Sequence, residues 1–468
     1  MAKTRNKGVI PFAKEAYKRL RASTPEQTVL NFIVEKDGSS TPQSEDEKIM
    51  LLQRPGLDAY YELPGPVQGL YTTDNPGFNY TFGVAGNKLY SFNSSGRVEL
   101  GTLEGSTSKV SFAANFDRLV VVNYPRVYCY GASSTSTFPT FREIVLPDLF
   151  GTGPVRAVDV AHLNGYLVIA CEDGTYVWIA PGENGVDPLN FATAESDPDG
   201  LVGVDVVHNN LVFFGKRSIE TWQPSGNADL PFQRAVGQDY ERGCFYRETI
   251  VHMDNSVFWV GDDNKVYRAD NVPKRISTDG IDERLRLASG ATDAWSFSFD
   301  GHLFYILSIP GQGTFAYDVA TDIWSQFSSQ GSLNWKPWVG CALDADFICG
   351  DRTSGKVWKV SSSATDDNVA FPRRASATVA LPSSPKRADT LSLDVGTTGE
   401  ALFKVKWADA DESLDGQPQV GLFCNPGSHI LTYPRMGAAR NPYRTVEVEV
   451  NDPVVVRISG GRIGDSWR

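Results

Sequence analysis

The chain has 468 residues, 41% of them hydrophobic and 11% aromatic, which excludes a disordered polypeptide and points to one large domain or two to three ordinary ones. The net charge of −12 excludes a surface that attracts nucleic acid non-specifically over its whole extent. No apolar run approaches the ~18 residues that span a bilayer, so no direct membrane insertion is expected.

Residues 1–27 form a basic N-terminal arm. Lys3, Arg5, Lys7, Lys14, Lys18, Arg19 and Arg21 stand against Glu15 in residues 1–22, a balance of about +6 that leaves about −18 for the remainder. The apolar core of a secretory signal is missing, and Glu15 argues against a mitochondrial one. Two readings stay open: a solvated arm or first helix, or an arm that docks on an acidic partner or a nucleic-acid backbone. The six cysteines (129, 171, 244, 341, 349 and 424) form no CxxC pair and read as small buried apolar residues.

From residue 28 to 362 the pattern is a repeat. Paired apolar runs flank turns of Gly, Asp, Asn, Pro or Ser, as in YTFGVAGNKLYSF (80–92), NLVFFGKRSIETW (210–222) and SVFWVGDDNKVYRA (256–269). One landmark per hairpin falls at Tyr90, Tyr128, Tyr176, Ile219, Tyr267, Tyr317 and Trp358, with gaps of 38, 48, 43, 48, 50 and 41. Several strands per repeat at this spacing predict an all-β fold, a β-propeller of six or seven blades, whose twisted sheets bury one another around an axis. The N-terminal segment 28–65 is expected to add strands to the ring or its closure.

The Ser-, Ala- and Pro-rich segment 363–384 reads as a linker with one embedded strand. Residues 385–468 then predict a small C-terminal β-sandwich-like domain. Within it, VEVEV (446–450) and VVVRI (454–458), separated by 451–453, read as a hairpin.

Chemistry is hard to find along the chain. There is no Walker A sequence, GxSxG or HExxH, and GGRIGD (460–465) lacks the Lys-Ser/Thr of a phosphate loop. Asp409, Asp411, Ser413 and Asp415 alternate like a calcium loop, yet Gly416 and Val420 stand where that loop needs another spacing and a bidentate Glu. His162, His208, His252 and His302 recur at one turn of successive repeats, which spreads them round a rim instead of gathering them on a metal. The carboxylate pairs Glu172–Asp173, Asp197–Asp199, Asp262–Asp263 and Asp344–Asp346 are the enzymatic alternative, a propeller glycosidase or polysaccharide depolymerase. Each falls in a predicted turn, where Asp is favoured for local hydrogen bonds. A carbohydrate-binding module is a further alternative. No catalytic, cofactor or metal residue is assigned.

The stretch ESDPDGLVGVDVVHNNLVFFGKRSIETWQPSG (195–226) is specific in another way. It resembles the mid-chain signature of the packaged-DNA stabilisation, or tail hub (nozzle), proteins of short-tailed bacteriophages. The residues that carry the likeness are Pro198, Asp199, Gly200, Gly203, Phe214, Gly215, Ser218, Ile219 and Glu220. NFIVEKDG, LLQRPGL, GNKLY, CGDRTSGKVWKV and LSLDVGTTG resemble other family segments in the same order, over roughly residues 30–400. The basic first 25 residues have no counterpart, and the far C-terminus lacks the Arg-dense end of the family.

The resemblance implies a structural virion protein, not an enzyme. Copies would form a ring, a homohexamer by analogy, beneath the portal–adaptor (head-to-tail connector). The ring would meet a tail needle or plug and tail fibres or spikes, retain packaged DNA, and conduct the double-stranded DNA during ejection. Assembly would take place in the host cytoplasm and the product would sit in the virion tail. The motif residues would then be structural parts of a blade, with Glu220 bracing a turn or a subunit contact.

Overall fold

The computed structural model describes residues 9–12, 27–36, 49–73, 81–133, 136–194, 199–269, 272–381, 390–409, 412–437, 439 and 442–464. The basic arm lies outside these residues except for Val9–Phe12 and Gln27, as do Pro198, Asp197 and Asp411.

The alternating runs form antiparallel four-stranded sheets, one after another. Blade 1 comprises Val67–Tyr71, Thr81–Ala85, Lys88–Asn93 and Gly96–Thr102. Blade 2 comprises Ser111–Ala114, Arg118–Asn123, Arg126–Ser133 and Ser136–Ile144. Blade 3 follows with Ala157–Leu163, Tyr166–Cys171, Thr175–Ile179 and Phe191–Thr193, and blade 4 with Leu201–Val207, Asn210–Gly215, Ile219–Pro224 and Phe232–Tyr240. Blade 5 is Val251–Met253, Ser256–Val260, Val266–Ala269 and Pro273–Arg275. Blade 6 is Asp293–Phe299, His302–Ile309, Gly313–Asp318 and Ile323–Phe327.

Blade 7 takes three strands from Pro337–Leu343, Asp346–Asp351 and Lys356–Ser361. Its fourth is Gly56–Glu62, from near the other end of the chain, with Val360 opposite Leu57 and Trp358 opposite Ala59. An early strand thus closes the ring. All seven landmark residues fall on third strands, so each predicted hairpin is the middle pair of a blade.

Burial counts the blades independently. Seven apolar clusters lie between consecutive sheets, including Phe82 with Leu119 (blades 1 and 2), Phe214 with Trp259 (blades 4 and 5), and Val67 with Ile348 (blades 1 and 7). Seven interfaces for seven sheets is the condition for a closed ring, and it resolves the choice between six and seven blades. The turns between first and second strands use Asn164, His208, Asp254, Asp300 and Asp344 at φ of 47–53°, the left-handed region that short polar side chains tolerate. One short helix, Asp279–Arg286, interrupts the β pattern between blades 5 and 6; Thr278 accepts from the Ile281 amide at its start.

The second core is a two-sheet sandwich. One sheet orders Val29–Leu30, Arg373–Ala380, Tyr443–Val450, Ala401–Asp409 and Val420–Cys424. The other orders Phe32–Lys36, Ile49–Gln53, Val456–Ile463, Leu391–Thr397 and Gly427–Tyr433. Leu30 also pairs in parallel with Gln326, so the first sheet runs on from the outer strand of blade 6.

Three expectations change here. Val29–Leu30, Phe32–Lys36 and Ile49–Gln53, placed in the propeller by the sequence, build the sandwich, and of the N-terminal strands described only Gly56–Glu62 joins the ring. The expected linker 363–384 holds a central strand whose inward positions, Ala375, Ala377 and Val379, are buried. Its small residues and flanking Pro and Ser masked the alternation. Finally, 446–450 and 454–458 are no hairpin. Their strands pair in opposite sheets and face each other across the core through Val446, Val448, Val456 and Ile458. An alternating run with a turn suits such an arch as well as it suits a hairpin.

Candidate functional site

The mid-chain motif is distributed over a blade and its neighbours. Asp199 accepts from the amides of Arg217 (2.6 Å) and Ser218 (3.2 Å) and so caps the turn between the middle strands of blade 4. A Cβ at Gly215 would stand 2.6 Å from the Asp199 carboxylate, so the cap needs glycine there. Gly200 has φ +71°, and a Cβ on it would meet the Glu172 carbonyl at 2.5 Å. Gly203 admits Ile250 and Asp159 at similarly close range. Phe214 and Ile219 pack between blades 4 and 5, Phe214 edge-on to Trp259. Ser218 returns its carbonyl to the Gly215 amide. Glu220 is buried and accepts from the Trp222 indole at 3.0 Å, with Arg234 3.9 Å away. Pro198 lies outside the described residues.

A second constellation crosses the middle of the ring. The loop entering blade 2 carries Lys109, whose Nζ lies 3.1 Å from Asp293 of blade 6 and donates to the Ala294 carbonyl at 2.9 Å. Arg352 of blade 7 pairs with the same Asp293 and lies over the Trp338 ring, 4.5 Å from its centroid. Arg247, in the segment entering blade 5, bonds Ser111 and the Lys109 carbonyl of blade 2 and stands 3.6 Å from Asp159 of blade 3. Asp159 in turn accepts from the Val204 amide of blade 4 at 3.2 Å. Blades 2 and 6 are not neighbours, so the Lys109–Asp293 pair reaches across the axis. Burial pushes the Lys109 ammonium pKa down against the pull of Asp293, and pushes the Asp159 carboxyl up against Arg247. Nothing in the sequence marks these residues, which are isolated charges far apart in the chain.

The third constellation joins the two cores. Arg54 is wholly buried and makes a bidentate pair with Asp366 at 2.9 and 2.7 Å. It also donates to Asn31 Oδ1 and to the Pro55 and Ser328 carbonyls, and its guanidinium lies 3.7 Å from the Phe371 ring centroid. Beside it Arg373 donates to Gln53 and to the Val454 carbonyl; burial, with Arg54 nearby, lowers its pKa to about 10. Asn31, Arg54 and Leu57 all belong to the N-terminal segments NFIVEKDG and LLQRPGL.

The described candidate acids are engaged by local partners. Glu172 accepts from Tyr124, Asp263 from Lys265 and Tyr267, and Asp346 pairs with Lys359, each within its own region of the ring. Asp409 lies in a strand and pairs with buried Arg444 at 3.0 Å. His162, His208, His252 and His302 lie in or beside the turn between first and second strands of blades 3 to 6, and among the described residues no group of three His, Cys, Asp or Glu is placed to hold a metal. Burial raises the thiols of Cys171, Cys244 and Cys341 to about 12, away from reactivity.

A family model described as Phage_stabilise, the bacteriophage P22 Gp10 β-propeller, matches residues 39–365. The chain belongs to the Phage_stabilise family. The family match contains all seven blades, the mid-chain motif and Arg54, but ends one residue short of Asp366 and before the C-terminal strands of the sandwich. A curated relative, the tail hub protein gp10 of Salmonella phage P22, is 31% identical over 181 residues, 37% of this chain. The chain matches about a third (35%) of that relative's length. Among solved structures, the designed Ika8 protein (TM-score 0.40, 12% identity, 65% of this chain and all of that one) and the WD40 β-propeller domain of Doa1 (TM-score 0.41, 12% identity, 66% and 97%) are similar to this Phage_stabilise member.

Proposed function

We propose that this protein is a structural component of a short-tailed phage virion, the tail hub or nozzle, which extends the portal–adaptor channel, retains packaged DNA and conducts it during ejection. The observation that carries the reading is the family match over the complete propeller. The axial cluster agrees with it. Side chains from opposite blades meet across the axis, so a duplex would pass between copies, not through one. Several copies in a ring, six by analogy with the family, would form that conduit. Its partners would be the portal–adaptor, a tail needle or plug, tail fibres or spikes, and the passing DNA.

The acid balance supports the same reading, since a wall that repels phosphate does not hold DNA back during ejection. The mid-chain motif would act by shaping blade 4 and not as a ligand site. The role needs no turnover.

The test is single-particle imaging of the purified chain mixed with adaptor-bearing, DNA-filled heads of its source phage. A ring docked under the portal together with reduced DNA leakage is expected. Unchanged heads would overturn the reading, and a basic channel face in the ring would overturn the account of the acidic wall.

A further inference from the structure

The two cores end their sheets differently. In the propeller, the outer strands of blades 6 and 7 are paired by Val29–Leu30 and by Thr365–Asp366. The outer strands of blades 1, 2, 4 and 5 end their sheets, and each carries at least two charged residues; that of blade 3 is three residues long. Charge and shortness are what keep an unpaired strand from recruiting another chain.

The sandwich has neither device at one corner. Val420–Cys424 ends the first sheet and Gly427–Tyr433 ends the second, joined by Asn425–Pro426. Among the described residues each pairs on one side only, with Ala401–Asp409 and Leu391–Thr397 respectively. Residues 416–434 contain no Asp, Glu, Lys or Arg, the longest such stretch in a chain that is 21% charged. Phe423 is 57% exposed and Ile430 55%, and Leu402, directly opposite Phe423, is 38% exposed.

We propose that this arch, whose two strands edge opposite sheets, is an interface between copies of the chain, occupied by a second copy in the assembled ring. The inference rests on the reading that copies assemble. The charge distribution selects the occupant. A chain of net charge −12 repels its own copies over most of its surface, and the uncharged, apolar, strand-edged corner is where two copies approach without that cost. A partner chosen for opposite charge would instead use the acidic surface. Some 14 residues fall short of the roughly 800 Å² per partner of a standard stable interface, so the contact is weak alone and fills when other contacts bring copies together.

The test compares the full chain with Phe423→Lys/Ile430→Lys by sedimentation across a concentration series, with hydrogen exchange over 420–433 and thermal melting alongside. Both positions are exposed, so melting should not move. The expected result is self-association of the native chain that slows exchange in 420–433 and weakens at least tenfold in the variant. Equal association of both chains would overturn the inference, because another surface would then be responsible. So would a native chain whose amides in 420–433 exchange as fast on phage heads as in the monomer. A variant that docks on heads as a normal ring would sink the contact through 420–433 and leave the tail-hub reading standing. A native chain that self-associates through 420–433 but never docks would do the reverse.

Discussion

Every open outer strand of the propeller stops its sheet with charge or by being short, whereas at one corner of the sandwich both sheets stop in a single uncharged arch at 420–433. The contrast extends to how each core is made. The propeller is a series of local hairpins closed by a single early strand, Gly56–Glu62. The sandwich is woven from both ends of the chain, with Val29–Leu30, Phe32–Lys36 and Ile49–Gln53 among strands from beyond residue 370. The family match covers the first core and stops before most of the second.

The largest expected effects concern the joint between the two. Asp366→Ala leaves Arg54 buried and unpaired, which should cost about 3–5 kcal/mol in denaturant unfolding. A cost near zero would mean that the cores do not depend on this pair. Leu393→Ala, in the middle of the sandwich core, should cost about 2–5 kcal/mol. Because Val29–Leu30 ties that sheet to blade 6, the loss should appear in the same calorimetric transition as the propeller. Two separated transitions would break the picture of linked cores and sharpen that of independent ones.

Within the propeller, Gly200→Ala combines a left-handed backbone with a close carbonyl and should cost about 1–3 kcal/mol. An equal substitution at Gly151, which is also left-handed but has open space around it, separates the clash from the backbone strain.

The smallest effect is a pH slope where the cores face each other. Donation of a hydrogen bond to the Asp318 carboxylate raises the His302 pKa against burial, with Glu35 of the sandwich adding to the rise. The stability it contributes is complete below about pH 6.5 and is lost as pH rises through the raised folded value. His252 with Asp205 acts in the same direction, while burial lowers His162, whose contribution is lost as pH falls. His302→Asn should therefore flatten the decline in stability above pH 6.5. An unchanged slope would remove His302 from the junction.

What the sequence by itself determined is local. Period-two alternation and Asn, Asp and Gly turns act over a few residues, so the hairpins, their spacing and the propeller class were all legible, as was the motif around blade 4. The turn chemistry of Asp199 and the tight glycines was readable for the same reason. Strand partners across the chain were not. Gly56–Glu62 beside Lys356–Ser361, Val29–Leu30 beside Arg373–Ala380, and the arch of 446–458 all use alternating patterns that fit several neighbours equally well. The Arg54–Asp366 and Lys109–Asp293 pairs were equally hidden, since each is two ordinary charges that become a site only on meeting. The tertiary structure alone decided these, because pairing across hundreds of residues is selected by the burial of whole sheet faces and not by any signal in the strands themselves.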